Sequence, residues 1–281
     1  MILETTLLIL TLIVLLIASY TDLKTREVPD YLSYSFLFTA LGIRIIYALD
    51  HGFSYLLTGL LGFLFCFILS IILYYTHLWG GADSKLLMGL GVVIGIPYPL
   101  ATQSLALLWF FLLLLAIGSF YGLIWMFTIA MQKKSSFLKE WQKTTAQFPK
   151  LPYLLLGVTV LLIPLALFIS PLFWPLLFLF LPLYYLILFI KATEASCFHK
   201  NIPLSRVTLG DWITEPFTVG KLTIRNKTIQ EEDLEQIRKL PTSLQHHTIT
   251  IREGIPFVPS FLFAYLALTF SLHSFLFTFI I

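Results

Sequence analysis

Apolar residues run along this chain in long blocks separated by short polar ones. The blocks lie at about 2–20, 31–49, 53–76, 84–96, 101–131, 151–170, 172–190 and 257–280. Most approach the roughly 20 residues that a helix needs to cross the hydrocarbon of a bilayer, where it satisfies its own backbone groups. Barrel strands would instead alternate in polarity over segments of about 10 residues, a pattern that is absent. The blocks therefore predict an all-α polytopic membrane protein with about eight transmembrane helices, six to eight depending on how 151–190 is divided. Ser170-Pro171 is the natural turn for that division. The fourth block is short, carries Gly89, Gly91 and Gly95 for close helix packing, and ends at Pro97-Tyr98-Pro99.

The polar stretch 192–256 has the pattern of a small α/β cytosolic domain before the last helix. Lys221–Arg225 and His246–Arg252 alternate like strands, and Thr228-Ile-Gln-Glu231 has the form of a capping box leading into a helix over 231–240. The expected organisation is a membrane core over 1–131, a basic cytosolic loop over 132–150, a transmembrane hairpin over 151–191, the small domain over 192–256 and a final span over 257–281.

Composition excludes a soluble globule: 58% of residues are hydrophobic, 12% are charged, and the mean hydropathy is +0.89. The first block has no basic flank or small-residue cleavage site, so it reads as a retained span. The net charge of +3 carries no reading of nucleic-acid binding, because in a membrane chain the placement of Lys and Arg matters more than their sum. Under the eight-span scheme, seventeen of the eighteen basic residues fall on one side, Arg44 being the exception. By the positive-inside rule that side is the cytoplasm, and both termini face out of a multi-pass chain in the plasma membrane. The lipid bilayer is the first expected partner. Arg44 is expected to snorkel to the far interface, and Tyr20 and Trp79 to sit in an aromatic belt. Cys66 and Cys197 form neither a disulfide framework nor a zinc spacing, and no metal or cofactor is expected.

Two carboxylates stand at the cytoplasmic rim. Asp22 follows the first block, and Asp83 opens the fourth after Trp79-Gly80-Gly81-Ala82. Taken singly, Asp22 also reads as a boundary charge and Asp83 as a helix cap. Taken together, at one depth on one face, they have the makings of an acid/base pair that activates water, one member ionised and the other protonated. Asp83 lies at a helix N-terminus and Asp22 past a helix C-terminus, so the dipoles make Asp83 the more readily ionised member and Asp22 the proton carrier. Gly80 and Gly81 leave room beside Asp83 for an extended peptide. Lys85, Glu27 and Asp30 are supporting candidates, the two acids as partners for basic groups; Asp30 also reads as the cap of the second span. His77 and the pair His246-His247 are weaker candidates.

Asp22 with Val28-Pro29-Asp30, followed by Gly80-Gly-Ala-Asp83, resembles the two-aspartate pattern of type IV prepilin peptidases, membrane aspartyl proteases of the GxGD class. The archaeal preflagellin (archaellin) peptidase branch is the most similar, and Leu209-Gly-Asp-Trp-Ile213 and Glu253-Gly-Ile-Pro-Phe-Val-Pro259 are similar to its late segment. Ala82 departs from the second glycine of the motif, and the zinc-binding cysteines of the bacterial branch are missing. The resemblance implies Asp22 and Asp83 as catalytic residues. It also implies cytoplasmic cleavage of short basic leaders from precursors that carry an apolar N-terminal helix. Two other readings of the residues stay open: a proton-coupled transporter, and a non-enzymatic assembly component of a pilus or secretion machine.

Overall fold

The computed structural model describes residues 2–76, 78–98, 105–147, 149–168, 179–208, 210–214, 216–220, 222–224, 228–241, 244 and 246–278. His77, Ser170-Pro171 and the strand ends at Lys221 and Arg225 lie outside them. Ten helices carry most of the described chain. They are α1 (Ile2–Thr25), α2 (Asp30–His51), α3 (Ser54–Tyr75), α4 (Gly81–Ile94), α5 (Ala106–Gln132), α6 (Lys134–Gln147), α7 (Leu151–Phe168), α8 (Phe180–Cys197), α9 (Glu231–Arg238) and α10 (Val258–Thr278). Among the described residues, α1, α2, α3, α5 and α8 are long and apolar enough to cross a membrane, and the bent pair α6 and α7 would make a sixth span. The chain is a helical membrane protein. Five or six helices thus qualify among the described residues, at the low end of the six to eight expected, and α4, with 14 residues, is too short by itself to be counted with them.

Two compact units divide the chain, one made of Met1–Leu123 with Ile255–Ile281 and the other of Ile124–Gly254. In the first, α1 runs past the apolar block because Thr21 to Thr25 contain neither proline nor glycine. It stops only at Arg26, whose φ of 62° ends the helix. Asp22 therefore lies inside the last turns of α1, where the expectation had it beyond the helix. The α2 helix opens directly after Pro29, so Asp30 is its first residue and not its cap.

The glycines of α4 serve packing. A Cβ on Gly62 of α3 or on Gly91 of α4 would collide with the backbone oxygen of the other, so the two helices touch main chain to main chain. Gly89 leaves the space that the Phe36 ring of α2 fills, and the Ser70 hydroxyl of α3 donates to the Ser84 carbonyl at 2.9 Å.

A helix of 14 residues spans about 21 Å, less than the roughly 30 Å hydrocarbon layer, and its last carbonyls include those of Val92 and Val93, which are buried in the protein. Arg44 supplies their donors. It is 5% exposed, and its guanidinium donates to Val92 O (2.6 Å), Val93 O (2.8 Å) and Tyr55 O (2.9 Å). The expected snorkelling residue is instead the C-terminal cap of α4, positive charge against the negative end of a helix dipole.

The second unit holds α6 to α9 and two small sheets. Residues 134–147, expected as a loop, form α6, because Lys, Glu, Gln, Leu and Ala favour helix and Pro149 comes only after it. Phe137 packs edge-on to Phe189 of α8 at 5.7 Å. Strands β1 (His199–Pro203), β2 (Trp212–Ile213) and β5 (Thr248–Arg252) make an antiparallel sheet in the order β1-β5-β2, and β3 (Phe217–Val219) pairs with β4 (Leu222–Ile224). Ile202, Ile213, Ile224, Ile249 and Ile251 point into one core with Ile237 of α9. The cap of α9 lies two residues beyond the expected box: Gln230 N–H donates to Asp233 Oδ2 at 3.1 Å, because the helix starts at Glu231.

Replacing Arg44 by Met is expected to lower stability by about 3–5 kcal/mol, since it strips the buried carbonyls of their donors. Arg44→Lys is expected to recover only part of this, because an ammonium cannot span three carbonyls that a planar fork reaches. Thermal melting in detergent measures both.

Candidate active site

The first unit brings Asp22 of α1 and Asp83 of α4 close enough for the charge of one to act on the other. Asp22 is 7% exposed, and one turn before it Ala18 is fully buried, leaving room for a neighbouring helix. That neighbour is α10, whose first residue, Val258, donates its backbone N–H to Asp22 Oδ2 at 2.9 Å. Asp83 is half-buried in the first turn of α4, with the Gly80 N–H beside its carboxylate. The Arg26 side chain also acts on Asp22, and this non-glycine residue takes a left-handed conformation that costs on the order of 1 kcal/mol.

The dipole argument from the sequence no longer separates the two aspartates. Asp22 lies near the C-terminus of its own helix but faces the N-terminus of another, and Asp83 faces the N-terminus of α4. Negative charge is favoured at both helix N-termini.

The remaining predicted residues divide clearly. Lys85 and Asp30 join α4 to α2 through an ion pair of 2.5 Å, with Lys85 also lying 5.1 Å from the Tyr34 ring centre. Lys24 lies 5.6 Å from the Tyr20 ring centre. Glu27 is exposed in the turn before α2. Neither Gly80 nor Gly81 is demanded by packing: a Cβ at Gly81 would be 3.8 Å from Tyr74, and one at Gly80 would be 3.5 Å from the Asp83 carboxylate. Space beside Asp83 is thus open. His246 and His247 lie ahead of β5, in the second unit. Gly210, with φ of 90°, and Asp211, which accepts the Thr208 N–H at 2.8 Å, shape a turn before β2. Among the described residues no group of three or more His, Cys, Asp or Glu side chains is gathered as a metal site.

Sequence reasoning missed the second wall of the site. Trp79, expected in an aromatic belt, is half-buried against Phe257 (5.6 Å between ring centres) and Phe261 (5.4 Å). A Cβ at Gly118 of α5 would come within 2.6 Å of the Phe257 ring, so this glycine is the notch that holds it. The proline-flanked Ile255–Pro259 segment was a visible signal, but its partner lies 236 positions away.

One buried and one half-buried carboxylate are thus gathered on helices of a membrane unit, and comparison with known proteins adds a family to that geometry. Residues 9–131, the stretch that carries Asp22 and Asp83, match the family model of the type IV leader peptidase family. Preflagellin peptidases of three archaea are similar to the chain: 38% identical over 81 residues for Methanocaldococcus jannaschii, 35% over 81 for Methanococcus voltae and 36% over 85 for Methanococcus maripaludis. Each alignment takes in 28% of this chain and 34–35% of the relative, so the chain spans about a third of the length of the curated relatives it matches. The resemblance to the archaeal branch read from the two aspartate motifs is thereby borne out. No solved structure matches.

Asp30→Asn is expected to cost less than about 1 kcal/mol in melting experiments, because the Asp30 side chain is 67% exposed and exposed ion pairs contribute little.

Proposed function

We propose that this chain is a membrane aspartyl endopeptidase that removes short basic leader peptides from archaellin or pilin-like precursors at the cytoplasmic membrane boundary. The observation that carries this reading is that Asp22 and Asp83, from two helices of a membrane unit, lie within electrostatic reach of each other in the stretch that matches the leader peptidase family.

The chemistry needs one ionised and one protonated carboxylate. The ionised aspartate takes a proton from water as the water oxygen adds to the scissile carbonyl carbon. The protonated aspartate gives its proton to the carbonyl oxygen. The tetrahedral intermediate then collapses: its C–N bond breaks, the nitrogen takes up the proton held by the first aspartate, and a hydroxyl proton of the intermediate returns to the second. A carboxylic acid and an amine leave, and the pair is restored.

The open flank at Gly80 and Gly81 suits an extended substrate backbone. Exposed Glu27 and the half of Asp30 not committed to Lys85 offer negative charge to a basic leader. The orientation rests on the eight-span division, with α4 counted as a crossing whose end is capped inside the protein: in that division the basic residues other than the buried Arg44 share one side. This supports a cytoplasmic active site in the plasma membrane, with the precursor's apolar helix entering from the bilayer.

Purified protein in lipid, incubated with a precursor bearing a basic leader, tests the reading. The parent is expected to cleave it, and Asp22→Asn and Asp83→Asn each to lose at least about a hundredfold in kcat. Undiminished cleavage by both variants sinks the catalytic assignment; a parent that cleaves nothing favours a transporter or an assembly component. In the same assay Gly80→Ala is expected to raise KM severalfold with no change in melting temperature, since the added methyl occupies the flank and disturbs no packed atom.

A further inference from the structure

Both aspartates lie in the family-matched stretch, but one of their contacts comes from outside it. Asp22 takes a hydrogen bond from Val258 N, which lies outside residues 9–131. A backbone N–H donates and cannot accept, so the contact favours a carboxylate oxygen at Oδ2. Its aim is held on two sides. Phe257, the residue before Val258, is pinned between Trp79 and the Gly118 notch, and Phe261 packs on the same indole. The ring contacts also tie the turn that leads into Asp83 to the turn that faces Asp22, since Trp79 precedes Asp83 by four residues.

We infer that the first turn of α10 completes the catalytic centre, the Val258 N–H positioning Asp22 as the carboxylate that takes the proton from the attacking water. The inference rests on the aspartyl peptidase reading and assigns the roles within it. Asp22 Oδ2 is held by the N–H, Oδ1 receives the water proton, and Asp83 supplies its own proton to the scissile carbonyl oxygen. This departs from the assignment drawn from the helix dipoles in the sequence: both carboxylates face a helix N-terminus, and Asp22 has the charge of Arg26 beside it in addition to the Val258 N–H. Val258 is a positioning residue: it acts through Asp22 and meets no substrate.

Proline at position 258 deletes the N–H at a site where a helix tolerates proline, its first residue. Val258→Ala keeps the N–H and removes more of the buried side chain. The charged and titratable groups that act on Asp22 are Arg26 beyond the end of its own helix, Asp83 of α4 and Tyr121 of α5, and neither substitution changes them.

Full-length protein in lipid with the leader-bearing precursor is assayed across pH. Val258→Pro is expected to lower kcat about tenfold to a hundredfold at unchanged KM, as for a lost hydrogen bond to a charged group, and to move the acid limb of the pH–rate profile toward neutrality. Val258→Ala is expected to keep the parent profile. A parent-like rate and profile in Val258→Pro overturns the inference, as does an equal displacement of both variants, which marks a packing role. If Val258→Pro does not fold by gel filtration and melting, Gly118→Ala decides: crowding Phe257 re-aims the turn with the N–H intact, and an unmoved profile overturns the inference. Cleavage by the parent and its loss in Asp22→Asn are read separately; failure there overturns the peptidase reading, and the inference with it.

Discussion

A helix too short to cross the membrane must have its ends satisfied within the protein, and α4 is such a helix. At its C-terminus Arg44 supplies the donors that water would supply elsewhere. At its N-terminus Gly80 and Asp83 face the site. These two requirements are linked through a rigid rod of 14 residues: anchoring one end fixes the depth of the other. The Gly62 and Gly91 contact adds the lateral constraint, because main chain against main chain permits very little sliding. The position of one aspartate is thus set by an arginine at the opposite end of its helix and by glycines in between.

The other aspartate is set by α1 and α10. Its own helix carries it past the apolar block to a buried position, beside a left-handed Arg26 that ends the helix within one turn. The α10 helix then presents a backbone donor to it. The two aspartates are therefore held by different means, one by the capping and packing of α4 and the other by a hydrogen bond from a distant part of the chain. A pair whose members stand in different environments is what acid/base chemistry requires, since identical carboxylates in contact would give no fixed direction for the proton.

Much of this was legible in the sequence. The apolar blocks announced helices, and the placement of Asp22 and of Gly80 to Asp83 at block rims marked the site. The glycines of the fourth block signalled close packing, and the structure shows which of them meets which neighbour. Boundaries fared less well. Asp22 lies within its helix because polar Thr21 and Lys24 are compatible with helix, and hydropathy does not report where a helix stops. The 132–150 stretch holds a helix because polar residues of high helical propensity produce no apolar signal. Arg44 was misplaced because a single basic residue in an apolar block has the same pattern whether it reaches for water or for buried carbonyls.

The sequence by itself determined the membrane character and most of the helices and singled out the two aspartates proposed as the pair, because these follow from local composition and from the chemistry of individual residues. Tertiary structure alone decided that Arg44 caps α4, that Phe257 sits in the notch at Gly118, and that Val258 turns its N–H toward Asp22. Each of these joins groups far apart in the chain, and the last joins a side chain to a backbone atom that every residue but proline possesses. Such a donor has no signature in residue type; it acquires a role only through where the folded chain aims it.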